Sequence, residues 1–247
     1  MSLSLVAIAC AVGFSIGTVG VGGILLIPPL TLLAGIPIHE AAATALFTFV
    51  FTGLYGTWLY HKRGSIDWRL SVPVCAGAVL FSYIGAWVNS LVGAATLNMI
   101  IALVIAFAGL YIVLPFAAKA AATAEGSPTP QFVLLLGVGA VSGFGSGLSG
   151  AGGPLFSVPI MLLLGFAPLT AIGVSQVLQI IAAAFGSLGN LHYGSIDVTL
   201  AATLTVCELA GVFLGVRFAH RAKVAHLRGM VGWICLAVGG EMLFKLL

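Results

Sequence analysis

"GVGGILLIPPL", residues 20–30, sets a glycine cluster and a double proline inside an apolar stretch that otherwise reads as a membrane helix. Both residue types disfavour a continuous helix. Backbone groups freed at membrane depth find no water to bond, so such a break is tolerated only where protein buries it or where it lines a wet cavity.

Composition makes the membrane assignment independently. Of 247 residues 61% are hydrophobic and 6% charged, with a mean hydropathy of +1.22, too few charges to cover a soluble domain. The apolar runs at residues 38–60, 68–88 and 94–118 each match the roughly 20 residues that cross a hydrocarbon core. The opening "MSLSLVAIACAVGFSIG" has no basic leader and no A-x-A site, so it is expected to stay in the fold. Cys10, Cys75, Cys207 and Cys235 lie in apolar segments without C-x-x-C spacing and read as small hydrophobes, with no metal site, cofactor or disulfide framework expected. The net charge of +3 sits in a few loops, where it reports topology and points to no nucleic-acid partner.

Sliding the chain along itself shows what the glycines belong to. "GFSIGTVGVGG" from Gly13 answers "GFGSGLSGAGG" from Gly143, an offset of 130 residues. The same offset pairs Pro29 with Pro159, Gly35 with Gly165, "GSID" at Gly64 with "GSID" at Gly194, and Gly85 with Gly215. The chain is read as a tandem duplication, residues 1–118 and 131–247. A linker rich in Ala, Pro, Ser and Gly joins them at residues 119–130.

Each half holds the same parts: a short segment before the glycines (2–17, 131–146), a second after them (24–34, 154–164), and three full-length helices, which in the second half cover 169–191, 198–219 and 225–246. Neither short segment is expected to cross alone. Lys62, Arg63 and Arg69 place one loop in the cytoplasm; Arg217, Arg221, Lys223 and Arg228 place another there. Both assignments hold only if the short pair enters and returns, or crosses twice, so that each half crosses an odd number of times. The expected fold is therefore an all-α integral membrane protein of two inverted repeats, each a glycine-broken short helix pair plus three spanning helices. It would sit in a bacterial-type plasma (inner) membrane with both termini outside.

Inverted repeats with interrupted helices are the pattern of a secondary transporter, with substrate near the midplane where the breaks meet. A helix start, with unpaired amides and a positive dipole end, suits an anion. Gly20, Gly22, Gly23, Gly150, Gly152 and Gly153 are therefore candidate binding positions, while Gly139, Gly143 and Gly147 carry the small-x-x-x-small spacing of helix packing.

"GxxGxGG" before a proline-bearing helix, then "GIPIHEAAATA" and Tyr-His-x-x-Gly-Ser-Ile-Asp, repeated as "GFAPLTAIGVSQ" and "HYGSID", resembles the TauE/SafE (sulfite exporter, TSUP) family over essentially the whole chain. The resemblance implies export or uptake of small sulfur-containing or organic anions, such as sulfite or sulfonates, without ATP hydrolysis. The halves differ where Ala43, Thr44 and Ala45 are matched by Gly173, Val174 and Ser175.

Polar residues inside the apolar helices are few. Thr44 and Thr48 stand four apart on one helix, and Ser175, Gln176 and Gln179 occupy the corresponding turn of its repeat, a stripe able to face a cavity or to bond between helices. Ser15, Thr18, Ser146 and Ser149 flank the glycines and add hydroxyls. Glu208 lies mid-helix where its repeat mate is Ala78, and an intramembrane carboxylate is read as a coupling candidate for a proton or ion, or as a protonated structural acid. Asp67 and Asp197 read as N-caps, His61 and His192 as interfacial residues.

Two other classes compete. One is a proton- or cation-coupled carrier in which Glu208 contacts the ion. The other is an intramembrane serine protease, in which "GLSG" at 147–150 would supply Ser149 and His192 the base; against it, the position equivalent to Ser149 is Val19. "GSGLSG" from Gly145 also spells G-x-G-x-x-G, but without the strand a dinucleotide fold needs. The expected partners are the lipid bilayer, a small anion and a coupling proton or ion.

Overall fold

The computed structural model describes residues 3–91, 99, 102–103, 106, 109–110, 113, 128–150, 152–193 and 196–244. Among them the regular structure is helical: α1 (Leu3–Val19), a 3₁₀ turn (Gly23–Leu26), α2 (Ile27–Leu33), α3 (Ile38–Lys62), α4 (Trp68–Leu91), α5 (Pro128–Ser149), α6 (Pro154–Leu163), α7 (Pro168–Tyr193), α8 (Val198–Ala219) and α9 (Val224–Phe244). Most of the run at 94–118, and most of the linker, lie outside the described residues.

Four segments are long and apolar enough to cross a membrane by length and composition: Trp68–Val88, Phe132–Ser149, Pro168–Leu188 and Val198–Ala219. The distribution of polarity agrees with a lipid surround. Val72, Leu80, Val206, Leu214 and Trp233 are exposed, while Thr48, Ser146, Gln176 and Glu208 are buried. A soluble fold does the reverse.

The segment at 131–146, expected to be too short to cross, belongs to the 22-residue α5, and α1 reaches 17 residues. Both extend because the earlier glycines of the doubled motif do not break the helix. Gly13 packs on Glu208 and Gly17 on Val212, while Gly143 packs on Ala78 and Gly147 on Ser82. These are the same contacts displaced by 130 residues. They bring α1 beside α8, and α5 beside α4, each pair running in one direction with backbones in close contact.

The repeat mates α3 and α7 run antiparallel, with Gly56 against Gln176, Gly53 against Ile180 and Gly186 against Leu46. Ala106 and Gly109 meet Gly239 and Leu236 in the same sense. At one end of the molecule Arg63 Nη1 donates to Val216 O at 3.0 Å and Ser65 Oγ meets His220 Nε2 at 2.8 Å, so the Arg63 and His220 loops lie together. His220 Nδ1–H donates to Val216 O at 2.8 Å, which leaves Nε2 to accept from Ser65. Burial chiefly, with Arg63 assisting against the opposing Val216 carbonyl, holds the His220 pKa below its usual 6.5.

The unfolded chain then takes up the His220 proton first, so the contribution of this contact is full above about pH 6.5 and declines as pH falls below it. Thermal melts of the native protein and of His220→Gln across that range should converge on the acid side. A second expectation concerns packing. A Cβ on Gly139 would stand 1.9 Å from Val74 O, whereas one on Gly137 would meet nothing within 4 Å. Gly139→Ala should lower stability by about 1–3 kcal/mol and Gly137→Ala should not; equal melting temperatures for the two would contradict the α4–α5 packing.

Candidate functional site

The chain breaks where glycine leaves the helical region. Gly20, at φ 76°, ends α1; Gly150 and Gly152, at 67° and 83°, end α5. Each helix closes with the same bond, Gly20 N to Ile16 O at 3.0 Å and Gly150 N to Ser146 O at 2.9 Å. Gly22, at φ 176°, is extended, and Gly153 caps α6 with helical angles immediately before Pro154. Gly23 opens the 3₁₀ turn.

The two breaks touch. A Cβ on Gly20 would lie 3.0 Å from Val158 Cγ2 and 3.6 Å from Pro154 Cβ, so the end of α1 abuts the start of α6 in the other half. On the opposite side, a Cβ on Gly152 would lie 3.5 Å from the Phe49 ring on α3. Thr18, Gly20, Gly22, Gly150, Gly152 and Gly153 are all buried.

Carbonyls near the end of α1 are met by side chains from three directions. Gln176 Nε2 donates to Ile16 O at 2.8 Å from α7, and Tyr60 Oη to Gly17 O at 3.0 Å from α3. Thr18 Oγ1 donates to Phe14 O at 2.7 Å, and Ser15 Oγ to Val21 O across the break. The hydroxyl of Ser149 is similarly bound to Gly145 O at 2.7 Å. Two groups near the breaks remain without a partner among the described residues, Ser146 Oγ and Gln176 Oε1.

The expected polar stripe divides. Gln179 bridges α7 to α3, giving Nε2 to Phe49 O at 3.1 Å and to Thr52 Oγ1 at 2.9 Å. Ser175 pairs with Ser157 of α6 at 2.7 Å. Thr44 Oγ1 accepts from Asp197 N at 3.3 Å, while Thr48 Oγ1 donates back to Ala45 O at 2.8 Å. Tyr60, Thr52 and Ser157 were not singled out from sequence. Thr52 continues the four-residue spacing of Thr44 and Thr48, which was its available signal; Ser157 had none. Glu208 is 0% exposed, and neither carboxyl oxygen has a hydrogen-bond partner.

At the helix ends Asp197 caps α8 through Leu200 N at 2.9 Å, as expected, and Asp67 Oδ1 accepts from Arg69 N at 2.9 Å. His61 is exposed against Trp68, and the His192 side chain lies outside the described residues. Gly64, Ser65, Ile66, Asp67, Trp68 and Thr170 line an open cavity of about 380 Å³. The cysteines are free; Cys235 is buried and Cys10, Cys75 and Cys207 are half-buried.

Comparison with known proteins agrees with this architecture. The family model described as sulfite exporter TauE/SafE matches residues 5–242. The chain is 26% identical to the probable membrane transporter protein YdhB of Bacillus subtilis, over 94% of this chain and 95% of that protein. It is 27% identical to a probable membrane transporter protein of Methanocaldococcus jannaschii (98% and 96% covered) and 28% identical to one of Xylella fastidiosa (95% and 92%). No solved structure matches it. A duplicated, glycine-broken helical chain in which the match runs almost end to end is a membrane protein of known kinship: it belongs to the sulfite exporter TauE/SafE family.

Proposed function

We propose that this chain is a secondary transporter that carries a small sulfur-containing or organic anion, of the sulfite or sulfonate class, across the plasma membrane by alternating access. In this reading the anion is held where the two glycine breaks meet. The observation that carries it is the contact of Gly20 with Pro154 and Val158, which joins the broken ends of opposite halves at one buried point. A transporter with inverted halves binds its substrate between such breaks.

Ser146 and Gln176 supply the nearest side chains with polar capacity left over, since one amide hydrogen of Gln176 is committed to Ile16 and its carbonyl oxygen is unpartnered. Hydroxyl and amide groups bind an oxyanion without the desolvation cost of a buried cation. The remaining candidates, Ser15, Thr18, Ser149, Thr44, Thr48, Ser175 and Gln179, hold the walls in this conformation and change partners when the site opens. The antiparallel contact of α3 with α7 supports two halves of opposite orientation. The contact between the Arg63 and His220 loops supports placing both basic loops on the cytoplasmic side, with the termini outside.

Two measurements test this reading. Cysteines introduced at Ser65 and at Lys223 should both react with an impermeant maleimide only from the cytoplasmic face; reaction from opposite faces would remove the inverted arrangement. In the purified protein, sulfite or a sulfonate should raise the melting temperature by mass action. Gly153→Ala, whose Cβ would stand 3.1 Å from Leu178 Cγ, and Gln176→Leu should each weaken that shift roughly tenfold in concentration, about 1.4 kcal/mol. Gly139→Ala should melt lower yet respond to the anion at unchanged concentration. Unaltered binding in both Gly153→Ala and Gln176→Leu would place the anion elsewhere.

A further inference from the structure

Glu208 is the one position where the doubled packing contact carries a carboxyl. Its mate Ala78 meets Gly143 as a small residue, while Glu208 meets Gly13 in the same way and must also house its side chain. That side chain is 0% exposed with both oxygens unpartnered. The elements packed on α8 offer it no cation among the described residues. From α3 it is faced by Thr48, whose hydroxyl is already donated to Ala45 O and so can only accept. From α1 the nearest titratable group is Cys10, which meets Cys207 beside Glu208. Arg63 and His220 gather around Val216, eight residues or about 12 Å further along α8. A buried charge without a partner is neutralised rather than kept.

We infer that Glu208 carries a proton that travels with the anion, so that the chain is a proton–anion symporter; this rests on the reading of the breaks as the anion site. The geometry links the two. Gly13, which contacts Glu208, lies seven residues or about 10 Å along α1 from the break at Gly20. Phe49, next to Thr48, packs on Gly152 of the other break. An anion at the breaks holds the proton on Glu208, and the proton on Glu208 favours the anion by the same factor. When the anion leaves and the cavity is wet, the carboxyl releases its proton to water on that side. At about 10 Å and an intermediate dielectric the mutual effect is on the order of tenfold.

The test uses sulfoacetate, whose charge is constant between about pH 5.5 and about pH 8.5. Calorimetry on the full chain should show binding roughly tenfold tighter at the acid end. Proteoliposomes should acidify inside as sulfoacetate enters. Glu208→Gln should bind with the acid affinity at both pH values and move no proton, and Glu208→Asp should restore the pH dependence. Wild-type dependence persisting in Glu208→Gln, or uptake by the wild type without acidification, overturns the proposal; the second result is decisive even if the glutamine variant does not purify. Absence of sulfoacetate binding by either protein at both pH values is a different result, which overturns the anion reading and the proposal with it.

Discussion

Everything in this molecule follows from one constraint, the need to satisfy the carbonyls left over where α1 stops inside the membrane. In hydrocarbon such groups have no water to turn to, and each one unpaired costs several kcal/mol. The protein answers with side chains from other elements: Gln176 from α7 on Ile16 O and Tyr60 from α3 on Gly17 O. The break is therefore held by both halves of the chain at once. Any motion that opens it must exchange those bonds for others, as binding and release of a substrate require.

The two breaks are mates in sequence without being equal in chemistry. Gln176 corresponds to Leu46, Gln179 to Phe49 and Tyr60 to Asn190, so the bonds that close α1 have no counterpart of the same type at α5. Gly22 is extended where Gly152 has a positive φ. Glu208 replaces Ala78 in the same comparison. The backbone is duplicated, while the polar groups are concentrated on one side of the duplication, where α1, α3, α7 and α8 meet.

Much of this was legible in the sequence. The offset of 130 residues located the repeat, and the breaks fall at Gly20 and Gly150, because a positive φ at a helix end is a local property that glycine announces. The lengths of the flanking helices were not legible: Gly13, Gly17, Gly143 and Gly147 look like further breaks until the partner backbone that fills the missing Cβ is seen. The polar stripe of α7 was readable as a stripe, but its division into bridging Gln179 and partly unsatisfied Gln176 depends on α3 crossing at Gly56 and Thr52. Tyr60 was visible only as part of a motif, since its bond to Gly17 spans 43 residues.

The most direct measurement of the central claim is a structure of the protein with selenite, a sulfite analogue whose selenium gives an element-specific anomalous signal. The account predicts a single buried peak between the end of α1 and the start of α6, within hydrogen-bonding reach of Ser146 or Gln176. A peak confined to the open cavity lined by Gly64, Ser65 and Trp68, with the breaks empty and closed as they are here, would contradict it.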